Sequence, residues 1–454
     1  MKDDNPVKSN DKNKSKKALN TYSLAGIGIG GMVGSGFFLG TALAIKQAGP
    51  SVILAFILGG FIMSQVLGAM TSISINRPVT GSFRVYTEEF LGKFTGYLLG
   101  WIIYVSGILG IASEAIASAV FLKYWMPGLS VAFLALSVIL LTILINMLQM
   151  KYFGYIESGI AVLKIIIMVA FIVIGLTYIL SHGVQVKPSP FSGIQYFFPN
   201  RISGLLQSML IVVFTYSGIS TIAMAASEVK KPAKSIPKAT ILVTAGSITL
   251  YVLTMLVVVL TVDTRLINIS SSPLIQSLNS MNVNWISGII NFIILIATFS
   301  VMLGAYYSCD QMLVSLSQAK EAPSIFNKKQ KRDFYKNAWL LTGALSILII
   351  MLSFSLSSKL FNYLVSASSY FSFFNWIINL TVYIIWSKRR TNDEKYDSPL
   401  ILGRTGAYCT IIIIFILFIM SLKVQDFRIG FYSAAVISFL IIFSYKLYIR
   451  RKNI

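Results

Sequence analysis

Long apolar segments dominate this chain and restrict the fold that it can adopt. Twelve such segments, most of them near or above the roughly 18 residues needed to cross a bilayer, alternate with short polar loops. Lipid offers no hydrogen-bond partners, so a spanning segment must satisfy its own backbone as a helix or within a closed barrel, and segments of this length are helices. Only 12% of the residues are charged, about half the share found in soluble proteins. The sequence therefore predicts an all-α polytopic membrane protein.

The distribution of Lys and Arg predicts the orientation of the spans. The twelve predicted spans are residues 22–45, 49–73, 94–123, 130–148, 156–180, 204–226, 238–262, 286–316, 338–354, 360–386, 405–421 and 428–448. Of the 38 Lys and Arg, 29 fall on the N-terminal side of the membrane, 8 fall in the opposite loops and one, Lys164, lies inside a span. Because positive residues accumulate on the cytoplasmic side, both termini are predicted there. This bias accounts for the net charge of +22 without a nucleic-acid partner.

The first span contains an unusual number of glycines. Seven of the fifteen residues from 26 to 40 are Gly, and each Gly costs a helix about 1 kcal/mol relative to Ala. Such a stretch is either a close-packing face for a neighbouring helix or a deliberate break whose free backbone groups bind a ligand.

A second interruption favours the break. The sixth span contains FTYSGIST, residues 214–221, with a Gly in mid-membrane. Spans 1 to 5 and 6 to 10 are each five helices, and since five is odd the second set begins on the opposite side. Paired interrupted helices in two such sets are typical of inverted-repeat transporters, which bind substrate between half-helices. We therefore predict 12 transmembrane helices with a five-plus-five inverted-repeat core, in which helices 1 and 6 are broken.

This count also predicts the domain organisation. The predicted parts are a disordered cytoplasmic tail (1–20), a transport core (21–390) made of repeat one (21–181) and repeat two (204–387), two accessory helices (403–449) and a cytoplasmic C-terminus (450–454).

Four ordered motifs resemble one family. They are GGMVGSGFFLG in span 1, PVTGSFRVYTEEFLGKFTGYLLGW from residue 78, FTYSGISTIAMAASEVKKPAKSIPKAT from residue 214 and NFIILIATFSVMLGAYYSCDQMLVSLSQAKEAPSIF from residue 291. From about residue 20 to 390 the chain thereby resembles the amino acid permeases of the amino acid–polyamine–organocation (APC) superfamily. The resemblance implies twelve helices, the inverted-repeat core and transport of an amino acid by alternating access.

Both breaks supply candidate substrate-binding residues. These are Gly31, Met32, Gly34, Ser35 and Gly36 in span 1 and Phe214, Thr215, Tyr216, Ser217 and Gly218 in span 6. An amino acid has one carboxylate and one ammonium, and the free N–H and C=O groups of a broken helix complement both. This assignment resembles that of the family. Ordinary packing of the aromatics and hydroxyls bonded to their own helix are the alternatives.

Within span 1 the two charged groups of the substrate are predicted to bind at opposite sides of the break. The N–H groups of residues 34–36 and the Ser35 hydroxyl face the carboxylate, and the carbonyls of Gly31 and Met32 face the ammonium. Many members of that family have an acid where this chain has Ser220, so the sequence leaves open whether that position has a gating or cation-binding role. With no clear acid for a cationic side chain, a neutral amino acid is predicted.

Ionisable residues inside spans are costly and therefore indicate function. Lys164 in span 5 resembles a lysine found in proton-coupled permeases of this family. The resemblance implies that its ammonium occupies the position where sodium-coupled members of the wider fold bind Na⁺. We predict Lys164 and Glu114, in span 3, as proton-coupling residues. The alternatives are snorkelling of Lys164 to the surface and a structural, hydrogen-bonded Glu114. Glu157 is interpreted as a surface charge, and Asp310 as facing the cytoplasm or pairing with a basic loop residue.

The chain offers little material for catalysis. Its one His lies in a loop and its two Cys lie in apolar segments, so no enzyme activity, cofactor or metal is expected. The sequence has no P-loop motif, so ATP-driven transport is not expected either. The expected partners are an amino acid, protons and the lipid of a bacterial plasma membrane. An amino acid exchanger and a non-transporting membrane sensor with the same binding fold remain alternatives.

Overall fold

The protein is a bundle of long helices. The computed structural model describes residues 21–77, 83–148, 153–219, 232–329, 334–356 and 359–452, and no β-strand occurs among them. The helices are α1 (Thr21–Met32), α2 (Thr41–Ala48), α3 (Val52–Asn76), α4 (Arg84–Leu91), α5 (Lys93–Leu122), α6 (Val131–Met147), α7 (Phe153–His182), α8 (Ile194–Phe197), α9 (Arg201–Tyr216), α10 (Pro232–Thr261), α11 (Pro273–Ser280), α12 (Asn284–Gln318), α13 (Lys336–Met351), α14 (Ser353–Leu356), α15 (Leu360–Arg389), α16 (Gly403–Ser421) and α17 (Gln425–Lys452). The predicted tail, residues 1–20, lies outside the described residues, as does Ser220.

Nine helical segments in the described part of the chain are at least 18 residues long and apolar enough to cross a membrane. The first runs from Gly36 to Asn76 through α2 and α3. Helix α6, an apolar helix of only 17 residues, and α15 fall outside the nine. Helix α15 is 30 residues long and buries several Ser and Asn side chains between its neighbours. The all-helical membrane fold is thus confirmed, while the count of twelve spans and the inverted repeat stay predictions.

Small residues allow the helices around the first break to approach closely. Helix α1 packs between α7 and α10, and α5 packs along α12 and α15. A Cβ added to Gly30 would lie 2.5 Å from the Cβ of Ala161 on α7. Close approach through Gly and Ala is the usual basis of helix packing in lipid, and here it brings the end of α1 within reach of side chains from α7.

A polar strap, defined as residues 390–402 between α15 and α16, is bound to one side of α3. The Gln65 side chain accepts from the N–H of Leu402 (3.0 Å) and donates to the C=O of Leu400 (2.8 Å). About three turns further along α3, the Asn76 side-chain amide donates to the C=O of Tyr396 (2.7 Å) and accepts from its N–H (3.2 Å). Two side chains of α3 therefore replace the backbone partners that the strap would otherwise lack.

Candidate substrate and proton site

The first predicted span is interrupted at residues 33–35. Helix α1 ends at Met32, and a π-helical turn, Gly36–Gly40, leads into α2. The Ser35 N–H donates to both carboxylate oxygens of Glu114 on α5, at 3.0 and 2.9 Å. The hydroxyl of Ser35 is fully buried and has no hydrogen-bond partner among the described residues. The break thus presents one amide held by an acid of the protein itself and one unused hydroxyl.

The interruption in the sixth predicted span lies against the first. Helix α9 ends at Tyr216 and continues as a 3-10 turn, Ser217–Ile219. A Cβ on Gly218 would lie 2.4 Å from the carbonyl oxygen of Gly31 and 2.8 Å from the N of Met32. Only Gly allows this backbone contact, so the structure brings the end of α9 and its 3-10 turn against the end of α1; residues 220 and 221 of the second predicted interruption lie outside the described residues.

The outer half of the first span also packs against α9. A Cβ on Gly36 would lie 2.6 Å from Cδ1 of Phe214. Gly34 is equally confined, since its Cβ would lie 2.7 Å from Oε1 of Glu114. Gly31, Ser217 and Gly218 are half-buried, whereas residues 32–40 are buried. The junction of the two breaks is therefore the accessible side of this site.

Three candidate side chains in α9 and its 3-10 turn have partners elsewhere. The hydroxyls of Thr215 and Ser217 donate to the carbonyls of Val212 (2.7 Å) and Phe214 (2.8 Å), which is the backbone-bonded alternative. The Tyr216 hydroxyl donates to the carbonyl of Phe56 on α3 at 3.0 Å. In this conformation these three groups stabilise the helix and its packing, and their role in substrate binding stays a prediction.

The side chain of Lys164, on α7, reaches the C-terminal end of α1. Its ammonium is fully buried and donates to the C=O of Gly30 (2.7 Å) and to the Ser300 hydroxyl on α12 (3.2 Å). Glu157 lies about two turns earlier on α7, and its Oε1 is 3.7 Å from the ammonium. Ser300 donates in turn to Oε2 of Glu157 at 2.6 Å. Lys164 does not snorkel to the surface; it joins α1, α7 and α12.

The interpretation of Glu157 as a surface charge was wrong. Glu157 is only 9% exposed, because it lies two turns before Lys164 and therefore on the same buried face of α7. That seven-residue spacing is the signal in the sequence that could have identified the pair. Asp310 also differs from expectation, since its carboxylate accepts a hydrogen bond from the Thr342 hydroxyl on α13 at 2.6 Å. Helix–helix contact, rather than a basic loop, provides its partner.

Charged side chains lie beside the ends of both helices, α1 and α9. Within the described ranges no group of three His, Cys, Asp or Glu side chains could hold a metal ion. Two helix interruptions instead meet beside a buried ammonium and two buried carboxylates. Interrupted helices that meet within a membrane bundle are the usual substrate sites of secondary transporters, and this is the class of protein that the fold and site define.

Comparison with known proteins identifies the family. The profile of the amino acid permease family matches residues 24–453, so the chain belongs to that family. It is therefore a multi-pass permease of the bacterial cell membrane.

Relatives match over nearly their whole length. The γ-aminobutyric acid permease of Bacillus subtilis is 27% identical and covers 96% of this chain and 94% of its own. The amino-acid permease RocC of the same organism is 29% identical, with 97% and 95% covered. A D-serine/D-alanine/glycine transporter of Escherichia coli is 28% identical, with 87% and 86% covered.

A solved structure agrees on the fold. MhsT in complex with L-phenylalanine superimposes with a TM-score of 0.63 over 88% of this chain and 98% of that one. Identity is 15%, so this likeness concerns the fold alone.

Proposed function

We propose that this permease moves a neutral amino acid across the plasma membrane by alternating access, coupled to protons. The observation that carries the proposal is the contact between the two helix breaks, where Gly218 packs on the carbonyl of Gly31. The proposal includes twelve spans with cytoplasmic termini, repeats at 21–181 and 204–387, and accessory helices at 403–449. It describes a transporter and not an enzyme, as the membership of a permease family supports.

The substrate carboxylate is proposed to bind at residues 34–36. The Ser35 hydroxyl supports this, because a buried hydroxyl without a partner is unfavourable unless a ligand or water satisfies it. The ammonium is proposed to bind at the half-buried junction, where the carbonyls of Gly31 and Met32 end α1. The aromatic wall of the site is then Phe214, which already lies over Gly36.

Glu114 supplies a route to proton coupling. Its carboxylate occupies the Ser35 N–H that the substrate carboxylate needs. Two carboxylates cannot share that amide while both are ionised, because like charges at this distance in a buried site repel strongly. Substrate therefore displaces Glu114 from the amide, and Glu114 takes up one proton as it moves. Lys164, held at the other side of the break, is the second coupling group.

A neutral substrate is supported by the charges of the site. Among the described residues the acids beside the breaks are Glu114 and Glu157, and each already has a partner within the protein. Glu157 is paired with Lys164, and Glu114 is protonated and uncharged once the substrate displaces it, so neither is left to pair with a cationic side chain. The substrates for which two relatives are named, γ-aminobutyric acid and D-serine, D-alanine or glycine, are also zwitterions with no net charge.

Uptake into proteoliposomes tests the proposal. A panel of amino acids is first screened for thermal stabilisation of the purified protein, since a ligand stabilises the folded state that binds it. The amino acid that stabilises most is then offered outside vesicles with an imposed pH gradient. Accumulation that follows the gradient supports symport. Movement only when substrate is also inside indicates exchange, and binding without flux indicates a sensor; either result would contradict the proposed coupling.

A further inference from the structure

The proton-coupling proposal leaves one buried charge unexplained. Glu157 is the counter-ion of Lys164, and the two carry opposite charges 3.7 Å apart in a part of α7 that packs on α1 and α12. An ammonium that simply gained and lost a proton would leave the Glu157 carboxylate ionised and buried without a partner in each cycle. Such an unpaired buried charge is strongly unfavourable. The proton that leaves Lys164 must therefore have somewhere to go within this group.

The hydrogen bonds show a continuous route. The Lys164 ammonium donates to the Ser300 hydroxyl at 3.2 Å, and that hydroxyl donates to the Glu157 carboxylate at 2.6 Å. Both bonds point in the same direction, from Lys164 to Glu157. A hydroxyl that accepts on one side and donates on the other can pass a proton along such a chain.

The solvent exposure of the side chains indicates at which residue the proton route ends. Lys164 is completely buried, whereas Glu157 retains 9% of its surface near the start of α7. That start is predicted to be the cytoplasmic end of the helix from the Lys and Arg bias. Glu157 is thus the member of the chain placed nearest to water.

Other charged groups around the chain are few. Among the described residues, Lys164 interacts electrostatically with Glu157 and with Glu114 from α5. Helix α10, which also packs on α7, has Lys234 and Lys238 in its first two turns, and neither forms an ion pair with Glu157. The Gly30 carbonyl is the remaining polar contact of the ammonium.

We propose that Glu157 is the proton-exit residue of the transporter, an inference that rests on the proposed proton coupling. One N–H bond of Lys164 breaks as its proton passes to Ser300, and the Ser300 hydroxyl proton passes to Glu157. Lys164 becomes a neutral amine and Glu157 a neutral carboxylic acid, so the pair remains uncharged as a whole. Glu157 then releases that proton in the inward-open state, in which cytoplasmic water solvates its carboxylate until Lys164 is recharged from the substrate side.

Replacement of Glu157 by Gln tests this role, since Gln keeps the shape and can still accept from Ser300. Two assays in proteoliposomes are compared: counterflow of labelled substrate at equal pH, and accumulation driven by a pH gradient. E157Q is expected to keep counterflow within about threefold of the wild type while gradient-driven accumulation falls at least about tenfold. Glu157→Asp should recover part of the accumulation. Ser300→Ala should act in the same direction as E157Q.

Asp310→Asn is the matched control, because it neutralises another buried acid that has no hydrogen bond to Lys164, Ser300 or Glu157. It is expected to keep gradient-driven accumulation. If E157Q accumulates substrate like the wild type, the inference is overturned. Loss of counterflow in both single variants, E157Q and Ser300→Ala, would also overturn it, because that result indicates a structural role. If the wild type itself ignores the gradient, the proposed coupling fails first, independently of Glu157.

Discussion

Replacing Glu114 by Gln tests the competition between protein and substrate carboxylates. In the wild type both oxygens of Glu114 accept from the Ser35 N–H, at 3.0 and 2.9 Å. Gln has nearly the same shape, but it has one acceptor oxygen, no charge, and an NH₂ group that the amide repels. The variant should therefore release the Ser35 N–H more readily to an incoming substrate.

The size of the effect follows from the kind of hydrogen bond lost. A bond to an ionised group contributes about 1.5–3 kcal/mol, and a neutral one about 0.5–1.5 kcal/mol. The difference, about 1–1.5 kcal/mol, corresponds to roughly tenfold in a binding constant. Glu114→Gln should thus bind substrate roughly tenfold tighter than the wild type in alkaline buffer. In acidic buffer, where the wild-type acid takes up its proton freely, the two affinities should converge.

Equilibrium binding of labelled substrate to purified protein, measured across a range of pH, checks this. The wild-type affinity should fall as the pH rises, since binding takes up a proton, and the variant should show no such trend. Ser113→Ala is the control, because the adjacent Ser113 hydroxyl bonds only to the carbonyl of Gly110 in its own helix. Wild-type affinity that does not change with pH, or a variant with the same pH dependence, would refute the competition.

Three further changes address other parts of the molecule. Gly218→Ala places a Cβ 2.4 Å from a backbone oxygen, so substrate binding should fall by at least about tenfold, whereas Gly110→Ala, with nothing within 4 Å, should bind normally and gain about 0.4–1 kcal/mol in stability. Ser35→Ala should keep or raise the melting temperature of the substrate-free protein, because the buried hydroxyl has no partner there, but weaken substrate binding about fivefold in titrations. Burial acts to raise the pKa of Glu394, yet the hydrogen bonds from Arg77 and from the Thr391 N–H, together with the charge of Arg77, outweigh this and hold the pKa below the ordinary value. That stabilisation is present above the ordinary pKa of Glu and is lost as the pH falls through the lowered one, so Glu394→Gln should cost about 1 kcal/mol at neutral pH in thermal unfolding and nothing in strong acid.

Features that depend on local cost could be predicted from the sequence. A lysine within an apolar run is expensive wherever it lies, so Lys164 was identifiable as a candidate functional residue before its partners were known. Glycines are similarly informative, because a run of them cannot be explained by helix propensity. The interruption at residues 33–35 falls within the predicted stretch for that reason.

Features that depend on the direction of a side chain could not be predicted. The hydroxyls of Thr215 and Ser217 turn back to their own helix, and nothing in the chain order distinguishes that choice from one facing a ligand. The Glu114 contact with Ser35 joins residues 79 positions apart and is set by how α5 packs. Glu157 was missed because a charge near a helix end usually remains in water, and only the packing of α7 against α1 and α12 buries it.

The strap at residues 390–402 has a practical consequence for protein engineering. Loops between helices are the usual places to insert a soluble partner protein for imaging, because exposed tips tolerate insertion. This loop would not, since an insertion would pull its backbone from Gln65 and Asn76 and break the four hydrogen bonds that hold it to α3. Helix α3 lies against α9, so the disturbance would reach the site. The exposed residues following His182 offer a safer position on the opposite end of the bundle.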